Sequence, residues 1–193
     1  LNFSNDAAAA LVCDGHAVAA AAEERFSRIK HDRSFPQRAM DFCLAAGGLG
    51  LADLDAVAFF WNPGLHAAVP NWKQSGALRH HLEYLSSVPN HLVPRFGADV
   101  EHVDQRFRFN DGRELRVLYV THHMAHAAAA LFRSNYEDAA ILTVDGYGER
   151  TSTLIADGEG THIRPVVTVE FPVSVGSVYA AVTQYLGYRP NSG

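Results

Sequence analysis

The chain has 193 residues, of which 48% are hydrophobic and 19% are charged, and its formal net charge is −5. This length fits one ordinary domain or two small lobes, and the composition argues against a disordered chain. The negative charge argues against a general nucleic-acid or membrane-surface binder, because such proteins are usually basic. Cys13 and Cys43 are too few for a disulfide framework, so we expect a reduced, cytoplasmic setting.

The first third of the chain has the pattern of a β-hairpin, a charged connection, a helix and another strand. Asp14-Gly15 predicts a tight turn, because glycine tolerates the positive φ that such a turn needs. The alanine-rich segment after the turn also suits a helix. The predicted strands are Ala8–Cys13, His16–Ala22 and Asp55–Trp61. After a connection over Glu23–Arg33, the predicted helix has Ser34 as its cap, Pro36 in its first turn and Gly47-Gly48 as its end.

The rest of the chain alternates strands and helices after a less regular segment. Residues 65–105 have the spacing of a helical insertion, with a helix over Trp72–Leu85 and a shorter piece after Pro89. Strands are predicted over Phe107–Phe109, Arg113–Val120, Asp138–Asp145, Glu149–Ala156 and Thr161–Val169, with turns at Asn110-Asp111-Gly112, Asp157-Gly158 and Gly160. Helices are predicted over His122–Arg133 behind a Thr121 cap, and from Ser174 or Ser177 to about Gly187. This order predicts an α/β fold with a mixed sheet flanked by helices.

A weak internal repeat appears at a shift of 143 residues. The shift aligns Ala10–Gly15 with Thr153–Gly158, with three identities in six positions, and it aligns Asp6 with Glu149. Each copy has a strand, a short turn and then a hairpin. Two such copies would resemble the duplicated actin-like ATPase architecture, in which paired hairpins hold phosphates in a cleft.

Three histidines open the predicted helix that begins at His122. His122 and His126 are four residues apart, so their rings share one helix face and can bind one metal ion. Neutral imidazole suits borderline metals such as iron or zinc. His123 is the bystander of the three, and the alternative interpretation of the segment is a capped helix with polar residues in its first turn.

Two further segments carry candidate ligand-binding groups. Asp145 ends a strand and can reach a metal ion or a magnesium–phosphate group, and Gly146 and Gly148 let a ligand approach the backbone. The alternative there is a simple Asp-Gly turn. The segment 23–32 is either a solvated connection or a cationic clamp for phosphate or carboxylate, with Lys30 as a point charge and Arg28 as one of its planar forks.

Taken in order, these segments resemble the N-terminal domain of the nodulation- and antibiotic-type O-carbamoyltransferases. The resemblance covers nearly the whole chain and is more specific than any single motif. Its segments are Asn5–Val12 with Asp14-Gly15, Glu23–Arg28 with Lys30-His31-Asp32, Phe35-Pro36, His122–Ala128, Leu142–Gly146, Phe171-Pro172, Tyr185–Gly187 and Asn191-Ser192-Gly193.

The resemblance implies a fold like the actin-like, tRNA-threonylcarbamoyl-transfer domain, and it implies a set of site residues. The metal would be Fe²⁺ or another divalent ion such as Zn²⁺ or Mg²⁺, with a further family Asp beyond Gly193. The family often has His-Asp where this chain has Asn5-Asp6, and that His is a candidate for helping the acceptor hydroxyl lose its proton. The implied residues are His122, His126 and Asp145 for the metal, Asn5, Asp6 and Lys30 for catalysis, and Arg28, Gly146, Gly148, Asn191 and Ser192 for the cofactor.

The resemblance also implies the reaction and its partners. In the family, a second domain of the same chain makes carbamoyl adenylate from carbamoyl phosphate and ATP. The domain seen here then transfers the carbamoyl group to a hydroxyl of a small-molecule acceptor, in secondary-metabolite or nodulation-factor biosynthesis. No nucleic acid or membrane partner is expected, and a homodimer is left open.

The predicted organisation is two incomplete lobes. Residues 1–135 would form the first actin-like lobe, with the helical insertion at about 65–105, and residues 136–193 would begin the second. We therefore expect a fragment that is not a competent enzyme alone.

Two rival functions remain. One is a tRNA threonylcarbamoyl-transfer relative, which shares the helix histidines, although the acidic balance and the Glu23–Arg28 run favour the small-molecule family. The other is a nucleotide- or metal-binding module without catalysis.

Overall fold

The computed structural model describes residues 1–3, 6–62 and 102–190, except for the side chains of residues 102 and 103. The predicted helix over Trp72–Leu85 and the piece after Pro89 lie outside these residues. The described residues form two compact units. One contains those of Leu1–Phe60 and Asp104–Leu118, and the other those of Trp61–Val103 and Tyr119–Gly193. The lobe boundary predicted at residue 135 stays a prediction.

The first unit contains the predicted hairpin, and its turn has the expected backbone. Asp14 and Gly15 have φ values of 50° and 78°, and the two strands pair antiparallel. Its elements are β1 (Ala8–Cys13), β2 (His16–Ala22), α1 (Glu24–Ser27), α2 (Gln37–Gly47), a 3₁₀ turn (Leu51–Asp53), β3 (Ala56–Phe59), and most of β4 (His102–Arg108) and β5 (Glu114–Val120). The first two residues of β4 and the last two of β5 are assigned to the second unit. The second sheet has the order β3-β5-β4.

Three predictions in this unit need correction. The connection after β2 contains the short helix α1. The strand predicted to begin at Phe107 begins at His102, inside the range assigned to a helical insertion. Ser34 does not cap α2, because the helix begins later, after Pro36 at its N-cap. The distant carboxylate of Glu23, 4% exposed, accepts the amide hydrogen of Ala39 at 2.9 Å instead. A buried acid therefore satisfies the first turn of α2.

The second unit is built around a helix that packs on a three-stranded antiparallel sheet. Its elements are α3 (His122–Arg133), β6 (Asp138–Val144), β7 (Thr151–Glu159), β8 (His162–Glu170) and α4 (Val175–Tyr185), with the sheet order β6-β7-β8. Burial alternates along β7, as expected for a strand with one face on a core. The core cluster consists of Ala127, Leu131, Ile141, Leu154 and Ala156.

The turn predicted at Asp157-Gly158 is wrong. Both residues lie inside β7, where they pair with Arg164 and Ile163, and the chain turns at Gly160 with φ 57°. A Cβ at Gly158 would lie 2.9 Å from a side-chain methyl of Leu131. This glycine is therefore needed for the close approach of α3 to the sheet and not for a turn.

The corrected turn changes the proposed repeat. Both copies contain a hairpin, β1–β2 and β7–β8, but at a shift of 143 residues the first turn falls inside β7. The residue alignment at this shift therefore does not match the turns of the two hairpins, and the repeat itself stays a prediction. Within residues 1–3, 6–62 and 102–190, no helix has the length and apolar character needed to cross a bilayer.

Candidate metal centre

The structure brings three of the predicted ligands together in the second unit. His122 and His126 lie on the first turns of α3, and Asp145 directly follows β6. The Nε2 of His122 lies 2.8 Å from Asp145 Oδ2 and 3.1 Å from the Nε2 of His126. One ligand atom from each residue lies within 4.8 Å of the others. We call these three residues the ligand cluster.

The ligand cluster has the donor chemistry of a divalent metal site. Two imidazole nitrogens and one carboxylate oxygen suit iron or zinc better than calcium. Hydrogen bonds hold the pKa of Asp145 well below its usual range, the one from His122 having the larger effect and the one from His126 the next largest. This carboxylate is therefore ionised. The His126 side chain is 52% exposed whereas that of His122 is 14% exposed, so the cluster opens to solvent at His126. The residues fit a metal with coordination positions left for a ligand.

His123 lies beneath the cluster, and its environment differs from that of its neighbours. Its Nδ1 lies 2.6 Å from Thr143 Oγ1, and the residue is 3% exposed. Burial first, and then the nearby His122, lower the pKa of His123 to about 4, so the ring is neutral at physiological pH. His123 is part of the packing between α3 and β6 and does not belong to the ligand cluster.

A residue absent from the sequence-based site, Glu149, holds the start of α3. Its side chain is 3% exposed, and its carboxylate oxygens both lie 3.1 Å from the amide nitrogen of His122. Oε1 also accepts the amide hydrogen of Asn62 at 2.6 Å. Thr121 occupies the predicted N-cap position, but its side chain makes no capping hydrogen bond. The prediction that Thr121 caps α3 with its side chain is therefore wrong. The one sequence signal for Glu149 is its alignment with an acid in the internal repeat.

The two glycines predicted to admit a ligand differ in their surroundings. A Cβ on Gly148 would lie 3.0 Å from His123 Cδ2 and 3.1 Å from His122 Cβ. A Cβ on Gly146 would meet nothing within 4 Å. Gly148 therefore allows the histidine backbone to approach the loop, whereas a small side chain at position 146 would meet no neighbour among the described residues.

We expect Gly148→Ala to weaken metal binding by about tenfold, because the added methyl group pushes His122 away from Asp145. Isothermal titration of the metal-free protein with Zn²⁺ measures this effect, with Gly146→Ala as the matched control. Equal affinities for the two variants would show that the tight contact at Gly148 does not position the ligand cluster.

The remaining predicted site residues lie elsewhere. Asn5, Asn191 and Ser192 fall outside the described residues. In the first unit, Lys30 and Arg28 are exposed, and Arg28 has a left-handed backbone with φ 62°. Asp6 is also exposed and contacts His31, a residue that the sequence-based site omitted.

Comparison with known proteins places the chain in a family. Residues 2–193 match the protein family described as Carbamoyltransferase N-terminus. The chain belongs to this carbamoyltransferase family. The resemblance drawn from the sequence is thereby confirmed.

Similar proteins are known in bacteria and in an archaeon. The chain is 33% identical over 188 residues to the nodulation protein NolNO of Sinorhizobium fredii, an alignment of 96% of this chain and 26% of that protein. It is 35% identical over 211 residues to an uncharacterised protein of Synechocystis, with 99% of this chain and 32% of that protein aligned. An uncharacterised protein of Methanocaldococcus jannaschii is 25% identical over 191 residues, with coverages of 93% and 30%. The carbamoyltransferase chain thus spans about a quarter to a third of these relatives.

Proposed function

We propose that the full-length protein carrying this chain is an O-carbamoyltransferase. It transfers a carbamoyl group from carbamoyl adenylate, made from carbamoyl phosphate and ATP, to a hydroxyl of a small-molecule acceptor. The observation that supports this most strongly is the ligand cluster, since two imidazoles and an ionised carboxylate converge in a chain of the carbamoyltransferase family.

The chemistry is acyl transfer from a mixed anhydride. His122, His126 and Asp145 would hold Fe²⁺, or Zn²⁺ or Mg²⁺ in its place. When bound, such an ion supplies a Lewis acid that favours negative charge on a carbamoyl or phosphate oxygen. Glu149 keeps His122 at the start of α3. We propose that the adenylate lies beside Gly146, where an added Cβ would meet no described atom within 4 Å. Arg28, Gly148, Asn191 and Ser192 stay proposed as nucleotide-binding residues on the strength of the resemblance alone.

The fold proposed for this function is the actin-like one, with residues 1–135 and the residues from 136 onward as its two lobes. The β1–β2 and β7–β8 hairpins support this proposal because they occupy corresponding places in the two halves of the chain. A domain that forms carbamoyl adenylate is proposed in the same full-length chain, and the protein is proposed to act in the cytoplasm. The relative NolNO is named as a nodulation protein, which supports a nodulation-factor or secondary-metabolite acceptor.

The test is a transfer assay on the full-length protein. Purified protein receives ¹⁴C-carbamoyl phosphate, ATP, Fe²⁺ and a panel of sugar, aminoglycoside, macrolactam and lipooligosaccharide acceptors. We expect a labelled carbamate ester that forms only when ATP is present. A parallel reaction supplies ¹⁴C-threonylcarbamoyl adenylate and tRNA. Label on tRNA alone would favour the tRNA-modifying rival, and binding of ATP and metal without any labelled product would favour the non-catalytic module.

A further inference from the structure

Trp61 and Asn62 lie beside the ligand cluster although they are far from it in the sequence. Both belong to the same compact unit as the cluster. The sequence predicted that Trp61 ends a strand, but β3 ends at Phe59 and Trp61 lies beyond it. Trp61 is 8% exposed and Asn62 is 0% exposed. A buried tryptophan beside a candidate metal ligand can orient that ligand, so its contacts are described in turn.

The indole ring of Trp61 lies against the imidazole ring of His122. Their centroids are 5.4 Å apart and their planes meet at 61°, an edge-to-face contact of the kind that aromatic side chains prefer. Nε2 of the same imidazole lies 2.8 Å from Asp145 Oδ2 and 3.1 Å from His126 Nε2. The contact with Trp61 therefore restrains the rotation of the ring that would take Nε2 out of the ligand cluster.

The same indole contacts the segment that carries Asp145. The ring of Tyr147, in the loop after β6, lies 6.3 Å from the indole at an interplanar angle of 80°. Tyr147 is half-buried, burial raises the pKa of its phenol, and its ring lies 5.9 Å from that of Phe171. Trp61 therefore contacts both segments that supply ligand atoms, namely the start of α3 and the loop after β6.

The backbone next to the indole is attached to the same helix end. The amide of Asn62 donates to Glu149 Oε1 at 2.6 Å, and the amide of His122 lies 3.1 Å from the same carboxylate oxygen. One buried carboxylate thus joins the residue that follows Trp61 to the residue that Trp61 contacts. Because the ring and the neighbouring backbone are both attached to His122, the position of Trp61 is fixed relative to that ligand.

We propose that Trp61 is a positioning residue of the metal centre, which holds the His122 imidazole in the orientation that binds a divalent cation. This proposal rests on the metal site of the proposed function. The indole has no acceptor atom that could serve as a ligand. It restrains His122 and the loop that carries Asp145, so these donors are in place before an ion binds. Replacing residues that orient ligands in this way typically weakens metal affinity by about 10–100-fold.

The test compares the metal-free full-length protein with Trp61→Phe, which keeps a smaller ring, and Trp61→Leu, which keeps apolar volume without a ring. Isothermal titration measures the affinity for Zn²⁺. The visible absorption of the Co²⁺-loaded protein reports the geometry of the ligands. We expect the Zn²⁺ affinity to fall by about threefold in Trp61→Phe and by about tenfold or more in Trp61→Leu, with the Co²⁺ spectrum changing in the same order.

The control variant is Leu131→Ala. Leu131 is a buried core residue of the same unit and lies on α3, about two and a half turns beyond His122. Its truncation should lower the stability of the protein but leave the Zn²⁺ affinity and the Co²⁺ spectrum at their wild-type values. An equal loss of affinity in Leu131→Ala would show that any loosening of this unit weakens the site, and it would overturn the role of Trp61.

Wild-type affinity and an unchanged Co²⁺ spectrum in Trp61→Leu would overturn the role of Trp61 alone. Wild-type protein that binds neither Zn²⁺ nor Co²⁺ would overturn the metal site of the proposed function, and the role of Trp61 with it. Neither measurement requires carbamoyl transfer, so a failed transfer assay would count against the proposed reaction only.

Discussion

The full-length protein with both His122→Ala and His126→Ala is expected to lose its divalent cation and its carbamoyl transfer together. The change removes two of the three donors of the ligand cluster and leaves only the carboxylate of Asp145. A single carboxylate binds such an ion weakly, so metal per chain should fall from about one to background. We expect transfer to fall by about 10³-fold, since Lewis-acid stabilisation of the developing charge is lost.

Metal is measured by elemental analysis after gel filtration, and transfer by the radioactive assay. The matched control replaces His16 and His162 with alanine, since both are exposed on strands of the described residues and lie outside the cluster. Bound iron or zinc that is unchanged in the double variant would show that the metal site lies elsewhere in the protein.

The second large effect is expected for Glu149→Ala. Removal of this 3% exposed carboxylate leaves the amide hydrogens of His122 and Asn62 without their acceptor in a buried place. We expect the free energy of unfolding to fall by about 2–4 kcal/mol, and metal affinity to fall as well because α3 loses the group that holds its first turn. Glu149→Gln keeps one acceptor oxygen, so we expect it to lower the free energy of unfolding by about half as much.

The decrease in the free energy of unfolding is measured by urea unfolding, monitored by circular dichroism, with Glu159→Ala as the control. Glu159 ends β7, the strand that begins shortly after Glu149, but it is exposed, so its removal should change stability by less than about 0.5 kcal/mol. A Glu149→Ala protein as stable as Glu159→Ala would mean that water replaces the carboxylate at the start of α3.

Much of the fold could be predicted because it depends on local patterns. The Asp14-Gly15 turn follows from the positive φ values that this pair tolerates, and the helix predicted over His122–Arg133 has the bounds of α3. The failures concern contacts between distant residues. Glu23 caps a helix 16 positions away, and Glu149 caps one 27 positions away, whereas local rules pointed to Ser34 and Thr121.

In the site, too, local patterns were predicted and contacts between distant residues were missed. The four-residue spacing of His122 and His126 predicted a shared face, and the strand-end position of Asp145 predicted where a third ligand could come from. His31 was not predicted, because its partner Asp6 is 25 residues away. Such a contact depends on how the hairpin and its connection fold back on each other, which residue spacing does not report.

The first residues of α4 pack against the backbone of Asp145, a member of the ligand cluster. A Cβ on Gly176 would lie 2.5 Å from the carbonyl of Asp145, and Ser174 Oγ donates to the Gly146 carbonyl at 2.6 Å while accepting from the Ser177 amide. Here α4 lies directly against the backbone of Asp145. A displacement of the helix toward this loop would therefore displace Asp145 and change the distances within the ligand cluster.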